Sequence, residues 1–295
     1  MVPRVSVVIP TYNRPALLRE ALTSVAAQTY TDYEIVVVDD GSTIEGAEAI
    51  CCEFSRCHYI RQPNQGLSAT RNRGIRESRG ELIALLDDDD KWKPTKLAKQ
   101  VSFLDSNPEV AVVHGPAQII EADGTETVEL TGDNNPERRS GEVFVYALQA
   151  GIVKSPTPLA RRVVFDECGY FDERLRQLYL SEDVEFWARV AYKFRFGHIA
   201  EPLAYYRRHQ GQTPQEDRKR NLQAYTYIAQ KLSDYVDASD RRTVLRYSAA
   251  AYVHAIGKMT SPHSLQRVYH LAKALRLWPL CFLWKQYWGV AVLPR

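Results

Sequence analysis

Residues 81–92 read E-L-I-A-L-L-D-D-D-D-K-W. The segment 81–86 is short and mostly apolar, which fits a strand buried on both faces of a parallel sheet. It stops on four consecutive carboxylates, Asp87 to Asp90. Adjacent carboxylates repel one another, and a cation relieves that repulsion. Hard oxygen ligands suit Mg²⁺ or Mn²⁺, which bridge protein carboxylates to phosphates. Residues two apart on an extended segment point the same way, so Asp87 and Asp89 can converge. A solvated acidic turn would also explain four aspartates, but this one hangs directly from a buried strand.

The same grammar repeats upstream. Residues 5–9, V-S-V-V-I, end at Pro10 and fit a buried strand. Leu17, Leu18, Ala21, Leu22 and Val25 share one face of a helix over 15–28, with Pro15 near its start. A second strand at 34–38 is closed by Asp39-Asp40-Gly41-Ser42, and Ser42 or Thr43 can cap a helix over 45–55. A third strand is expected at 58–61, a helix at 68–79 ended by Gly80, and a helix at 94–106 after the acidic turn. This alternation predicts a mostly parallel, Rossmann-like α/β sheet flanked by helices, with ligands outside the carboxyl ends of its strands. Beyond residue 107 the alternation fades. Strands are expected at 110–122 and 126–130 around Asp123-Gly124, a loop at 131–141, strands at 155–162 and 196–206, and a helix at 181–193. A polar loop follows at 207–216, then a helical pattern from 217 interrupted near Gly257 to Pro262.

Composition places the chain among globular proteins: 295 residues, 45% hydrophobic and 25% charged, which excludes disorder, collagen and a disulfide mini-protein. The net charge of +2 hides an uneven distribution. Residues 1–214 carry 25 Lys and Arg against 31 Asp and Glu, whereas 215–295 carry 13 against 5. Two units are therefore expected, an α/β domain at 1–214 and a helical, basic and aromatic-rich region at 215–295. Five cysteines, three of them crowded at Cys51, Cys52 and Cys57, make a poor disulfide framework and point to a reducing, cytoplasmic setting. Cys51, Cys52, Cys57 and His58 lack the usual zinc spacing. The N-terminal segment reads as a strand rather than a signal peptide, and no run of about 20 apolar residues predicts a membrane span.

Further polar groups fall at the same strand ends. Tyr12, after Pro10 and Thr11, offers a ring face for a planar base, or simply packs a turn. Asp39 or Asp40 can accept from a base imide or a ribose hydroxyl, or cap a helix. In Asn64-Gln65-Gly66-Leu67-Ser68-Ala69-Thr70-Arg71-Asn72, Gly66 permits close approach of a ligand and Arg71 can reach phosphate or base. Ser181-Glu182-Asp183 either opens a helix or aims a general base into a cleft. Arg207-Arg208-His209 combines cations suited to phosphate with an imidazole that is structural or a metal ligand.

Taken in order, these segments resemble the family 2 glycosyltransferases of GT-A fold: V-S-V-V-I-P-T-Y-N-R, A-A-Q-T-Y-T-D-Y-E-I-V-V-V-D-D-G-S, N-Q-G-L-S-A-T-R-N-R-G-I, E-L-I-A-L-L-D-D-D-D-K-W, F-D-E-R-L with S-E-D-V-E-F-W, and Y-R-R-H. They span about residues 3–212. The resemblance implies an inverting transfer from a nucleoside diphosphate sugar, UDP- or dTDP-linked by default, to a glycan or lipid-linked acceptor. It implies Mn²⁺ or Mg²⁺ as cofactor. Tyr12 would stack on the base with Pro10 and Thr11 lining its pocket, Asp40 would accept from the base imide beside Asp39, and Gly66 and Arg71 would help hold the nucleotide. Asp87 and Asp89 would be the carboxylates of the family's D-x-D, Asp88 a ribose or metal contact, and His209 a metal-side histidine. Asp183 would be the base, with Glu182 and Trp187 contacting the acceptor or supporting the site. Position 88 departs from the pattern, because relatives often carry a small residue there.

Within residues 271–295 lie Trp278, Phe282, Trp284, Tyr287 and Trp288, with Arg276 and Lys285 among them. Such a segment either docks on the catalytic domain or lies at an anionic membrane surface as a peripheral contact. Nucleic acid is not an expected partner. Two other functions compete. A sugar nucleotidyltransferase would show a Gly-rich loop after the first strand, and Pro10 to Pro15 contains no glycine. A non-catalytic nucleotide-sugar or glycan-binding module would have no need of Asp183.

Overall fold

The computed structural model describes residues 2–131, 139–149, 152–153, 155–178, 182–209 and 218–247. In chain order the elements are β1 (Val5–Thr11), α1 (Pro15–Ala26), β2 (Tyr33–Asp39), α2 (Ala47–Cys52), β3 (Cys57–Arg61), α3 (Leu67–Glu77), β4 (Leu82–Leu85) and β5 (Lys91–Trp92). They continue with α4 (Lys96–Ser106), β6 (Val110–His114), β7 (Ala117–Ile120), β8 (Glu126–Leu130), α5 (Phe144–Gln149), β9 (Leu159–Arg161) and α6 (Val163–Cys168). After a 3₁₀ turn at Glu173–Leu178 come α7 (Glu182–Lys193), β10 (Arg195–His198), β11 (Ala204–Arg207) and α8 (Arg218–Tyr235).

Seven strands form the main sheet in the order β10-β6-β9-β4-β1-β2-β3. All are parallel except β9, which runs against both of its neighbours. Every residue of β1, β2, β4 and β6 is buried, as near-continuous apolar runs require of strands covered on both faces. Alternate side chains feed two cores. Val8, Ile83 and Leu85 face one, with α7 and α8 residues, while Val7, Ile9 and Ala84 face the other with α1 and α4. Because β1 lies between β4 and β2, the ends of all three strands open on one edge.

A second sheet, ordered β5-β11-β7-β8, was not foreseeable from the alternation. The expected strand over 110–122 is two strands in different sheets, because Gly115-Pro116 interrupts it. Pro116 has no amide proton for a ladder, and a Cβ on Gly115 would lie 2.5 Å from the Ile199 carbonyl oxygen. The expected strand over 196–206 breaks likewise at Glu201-Pro202 into β10 and β11. That expected over 155–162 contracts to β9, since Pro156 and Pro158 cannot donate to a ladder. The helix over 45–55 contracts to α2, while α5 and α6 form without having been anticipated. The expected loop at 131–141 falls largely outside the described residues, as do Ser181 and positions 210–217.

The basic region begins as part of the main fold. Ile228, Leu232, Val236 and Val244 pack into the core that contains α7. Lys231 Nζ lies 2.8 Å from Asp172 Oδ2 and 3.0 Å from Glu185 Oε1, and the Tyr227 hydroxyl donates to Asp172 at 2.5 Å. The segment 271–295 and the interruption near Gly257 lie outside the described residues. No helix among the described residues is long and apolar enough to cross a membrane. Cys51, Cys52, Cys57 and Cys168 are free thiols.

Candidate active site

The open edge of β1, β2 and β4 carries the site. At the end of β1, Pro10 and Thr11 are buried, while Tyr12 emerges at 45% exposure with its ring available to a planar ligand. Asn13 adopts a left-handed backbone at φ +57°. From there its side-chain oxygen accepts from the amides of Thr43 (2.7 Å) and Ile44 (3.0 Å), tying the loop after β1 to the loop after β2.

The two aspartates at the end of β2 are buried and serve different loops. Asp39 accepts from the Ser42 amide and the Tyr59 hydroxyl, both at 2.7 Å. Asp40 accepts from the amides of Gln65 (2.8 Å) and Gly66 (2.7 Å) and from Gln62 Nε2 (2.9 Å). The loop ahead of α3 is thus gathered onto one carboxylate. Gly66, at φ +92°, turns its amide toward Asp40 in a conformation that a side chain would strain. Gly41 permits the close approach, since a Cβ there would lie 2.9 Å from the Asn64 nitrogen.

The acidic turn divides its four carboxylates among separate partners. Asp87 accepts from Arg71 Nη2 with both oxygens (2.7 and 2.9 Å) and from Ser155 Oγ (2.9 Å). Asp88 accepts from Thr11 Oγ1 (2.7 Å) and Arg14 Nη1 (3.2 Å). Asp89 Oδ2 accepts from the same Arg14 nitrogen (2.6 Å) and lies 3.0 Å from His209 Nε2. Asp90 is buried and receives the Arg207 amide at 2.9 Å. Burial and the Asp89 charge push the Asp88 carboxyl up to about 7, and burial raises Asp90 well above the carboxylate range. Burial is the larger cause in both, and repulsion from the neighbouring aspartates adds to it.

His209 arrives through the second sheet. β5 follows the acidic turn directly and pairs antiparallel with β11, which ends two residues before His209. Arg207 clamps the same turn and is not available to a phosphate. Its Nε donates to the Asp89 carbonyl (2.9 Å), Nη1 to the Ala122 carbonyl (3.0 Å) and Nη2 to Glu20 (2.7 Å), and it is 2% exposed. Arg208 is exposed and pairs with Glu129 at 2.5 Å.

Arg71, expected at the nucleotide, is 3% exposed and joins two parts of the site. Its Nη1 donates to Glu182 Oε1 at 2.5 Å while Nη2 holds Asp87. Burial opposes its charge, but Asp87 and Glu182 more than offset that and hold its pKa above the usual value. Burial raises Glu182, against the pull of Arg71. Asp183 occupies the first turn of α7 and accepts from the Val184 amide at 2.9 Å. Its charge acts on Arg71 and, together with the acidic turn, on Tyr206. Trp187 is 3% exposed among Phe171, Phe186 and Phe196, so it supports α7 from behind.

Of the proposed metal side chains, Asp89 and His209 meet, Asp88 is adjacent, and Asp87 faces Arg71. No group of three or more His, Cys, Asp or Glu among the described residues is arranged to hold a metal. Two or three protein ligands with the rest supplied by water and a diphosphate is how Mg²⁺ and Mn²⁺ sites are commonly filled. The donor set fits such an ion. Arg14, Asn13 and Ser155 were not individually legible as site residues. The first two sit in the T-Y-N-R segment, where a polar pair at a strand end is the available signal.

The glycosyl transferase family 2 model matches residues 6–169, more than half of the chain. An uncharacterized glycosyltransferase of Rickettsia bellii is 32% identical over 203 residues, covering 68% of this chain and 28% of the relative. One from Methanocaldococcus jannaschii is 30% identical over 213 residues, covering 70% and 71%. The match spans only 28% and 32% of the lengths of the relatives from Rickettsia bellii and Rickettsia felis. Among solved structures, residues 1–349 of S. aureus TarS in complex with UDP-GlcNAc superpose with TM-score 0.72 at 18% identity, covering 98% of this chain and 84% of that one. The mannosyltransferase PcManGT of Pyrobaculum calidifontis, in complex with GDP-Man and Mn²⁺, gives TM-score 0.61 at 20% identity, covering 99% and 84%. The fold is that of the GT-A glycosyltransferases, and the chain belongs to glycosyl transferase family 2.

Proposed function

We propose that this chain transfers a sugar, with inversion, from a nucleoside diphosphate sugar to a hydroxyl of a glycan or lipid-linked acceptor. The observation that carries the reading is the Arg71 bridge between Asp87 and Glu182, which joins the metal-side turn to the start of α7 beside Asp183. The UDP-GlcNAc and GDP-Man complexes of structurally similar proteins support a nucleotide-sugar donor. UDP or dTDP is the proposed nucleotide.

Tyr12 stacks on the base, and Asp40 orders the Gln62–Gly66 loop around it while accepting from the base imide. Asp89 and His209, with Asp88 beside them, would hold Mn²⁺ or Mg²⁺. When bound, that ion neutralises charge developing on the leaving diphosphate. Asp183 takes the proton from the acceptor hydroxyl. The hydroxyl oxygen attacks the anomeric carbon from the face opposite the diphosphate, and the departing carbon–oxygen bond leaves its electron pair on phosphate. Glu182 keeps Arg71 between the two halves and lies beside the base without replacing it. The basic segment beyond residue 247 would bring the domain to a lipid-linked acceptor at the cytoplasmic face of a membrane.

A panel of nucleotide sugars, with and without Mn²⁺, tests the reading through thermal shift followed by transfer or donor hydrolysis. Asp183→Asn should lower kcat by about 10²–10⁴-fold with unchanged donor affinity. Near wild-type turnover would reject Asp183 as the base.

A further inference from the structure

Asp88 places a buried carboxyl group beside Asp89. The pair has a partner. Arg14, at the position preceding α1, directs one nitrogen, Nη1, to both Asp88 Oδ1 (3.2 Å) and Asp89 Oδ2 (2.6 Å). Thr11 Oγ1 holds the other Asp88 oxygen at 2.7 Å, which fixes that carboxylate under the guanidinium. Asp89 Oδ2 is also the oxygen that lies 3.0 Å from His209 Nε2. A cation drawn to Asp89 and His209 would therefore meet Arg14 already on the shared oxygen. A divalent ion on that oxygen would stand next to the guanidinium, and the two positive charges repel. Arg14 itself is about one-third exposed, with its guanidinium at the open edge of the site rather than in the core.

We propose that Arg14 is a positioning residue that acts as the site's resident cation, holding Asp88 and Asp89 in place and giving way at Asp89 Oδ2 when a divalent ion enters. The proposal rests on the reading of Asp89 and His209 as metal-side residues. Its consequence is a deliberately weakened affinity for the free ion. Displacement of Arg14 opposes binding until a diphosphate offers the guanidinium another anion. Metal and donor then bind cooperatively, because each removes a penalty that the other would otherwise meet.

The test is Mn²⁺ binding to the full chain, read from the free-ion signal in electron paramagnetic resonance, with and without UDP. Wild type, Arg14→Gln, Arg14→Lys and Asp89→Asn are compared. Arg14→Gln should bind Mn²⁺ alone roughly tenfold or more tightly than wild type, with the gain from added UDP reduced. Arg14→Lys, which keeps the charge without the planar fork, should fall between them. Asp89→Asn should weaken binding whether or not UDP is present. Equal or weaker Mn²⁺ binding by both Arg14 variants would overturn the role of Arg14 while leaving the metal reading intact. Absence of Mn²⁺ binding by wild type even with UDP would overturn both.

Discussion

Asp89 and Asp90 are neighbours in sequence with opposite fates. Asp89 faces the cleft, where His209 and Arg14 meet its Oδ2. Asp89→Ala should therefore weaken metal-dependent nucleoside diphosphate binding, which calorimetry with Mn²⁺ and UDP would register as a lower affinity than wild type. Asp90 is 2% exposed, raised by burial, and serves as an acceptor for the Arg207 amide. Asp90→Asn keeps an acceptor and should change stability by less than about 1 kcal/mol, whereas Asp90→Ala leaves the amide unmet and should cost about 1–3 kcal/mol by denaturant unfolding. Nothing in D-D-D-D distinguishes these four residues. Their roles come from partners 16 to 120 positions away in the chain, such as Arg71 and His209.

Among the elements, α8 shows where a boundary drawn from charge meets one drawn from packing. The change from acidic to basic composition falls near residue 214, yet α8 packs Ile228 and Leu232 into the core behind α7. Its Lys231 reaches the buried carboxylates of Asp172 and Glu185. Burial would raise the Asp172 carboxyl, but hydrogen bonds from Arg174, Lys231 and Tyr227 prevail and hold it below the carboxylate range. Lys231→Met should lower stability by about 1–3 kcal/mol in chemical unfolding, since Asp172 keeps two donors while Glu185 keeps Arg189. The strands were legible wherever an apolar run is unbroken, as in β1, β2 and β4. They were not where Gly115-Pro116 and Glu201-Pro202 pass one continuous β-rich stretch from one sheet to the other, because periodicity records a strand's faces and not the sheet it joins.

Across the whole molecule, His114 links stability to pH. It ends β6 fully buried beside His198, with ring centroids 5.1 Å apart, and burial together with the His198 charge brings it down to about 3. An unfolded chain would protonate it near the ordinary value of about 6.5. Between those values the unfolded state binds more protons, so stability falls as pH falls through that window, by up to about 1.4 kcal/mol per pH unit. Above the window the contribution is fully present. His114→Asn should flatten the dependence of Tm on pH between about 6.5 and 4 relative to wild type.

The sequence by itself determined the parallel sheet and the edge at which its chemistry gathers. Strands buried on both faces of a parallel sheet are mostly apolar, and their polar ends project from one side, so V-S-V-V-I-P-T-Y, E-I-V-V-V-D-D and L-I-A-L-L-D-D-D-D announce both facts locally. Only the tertiary structure decided which charges face one another. Arg71 binds Asp87 and Glu182, Arg14 binds Asp88 and Asp89, and His209 reaches Asp89 because β11 pairs with β5 in a second sheet. Those pairings are set by strand order and chain crossover, and a linear pattern of residues does not encode distance between segments that meet only after folding.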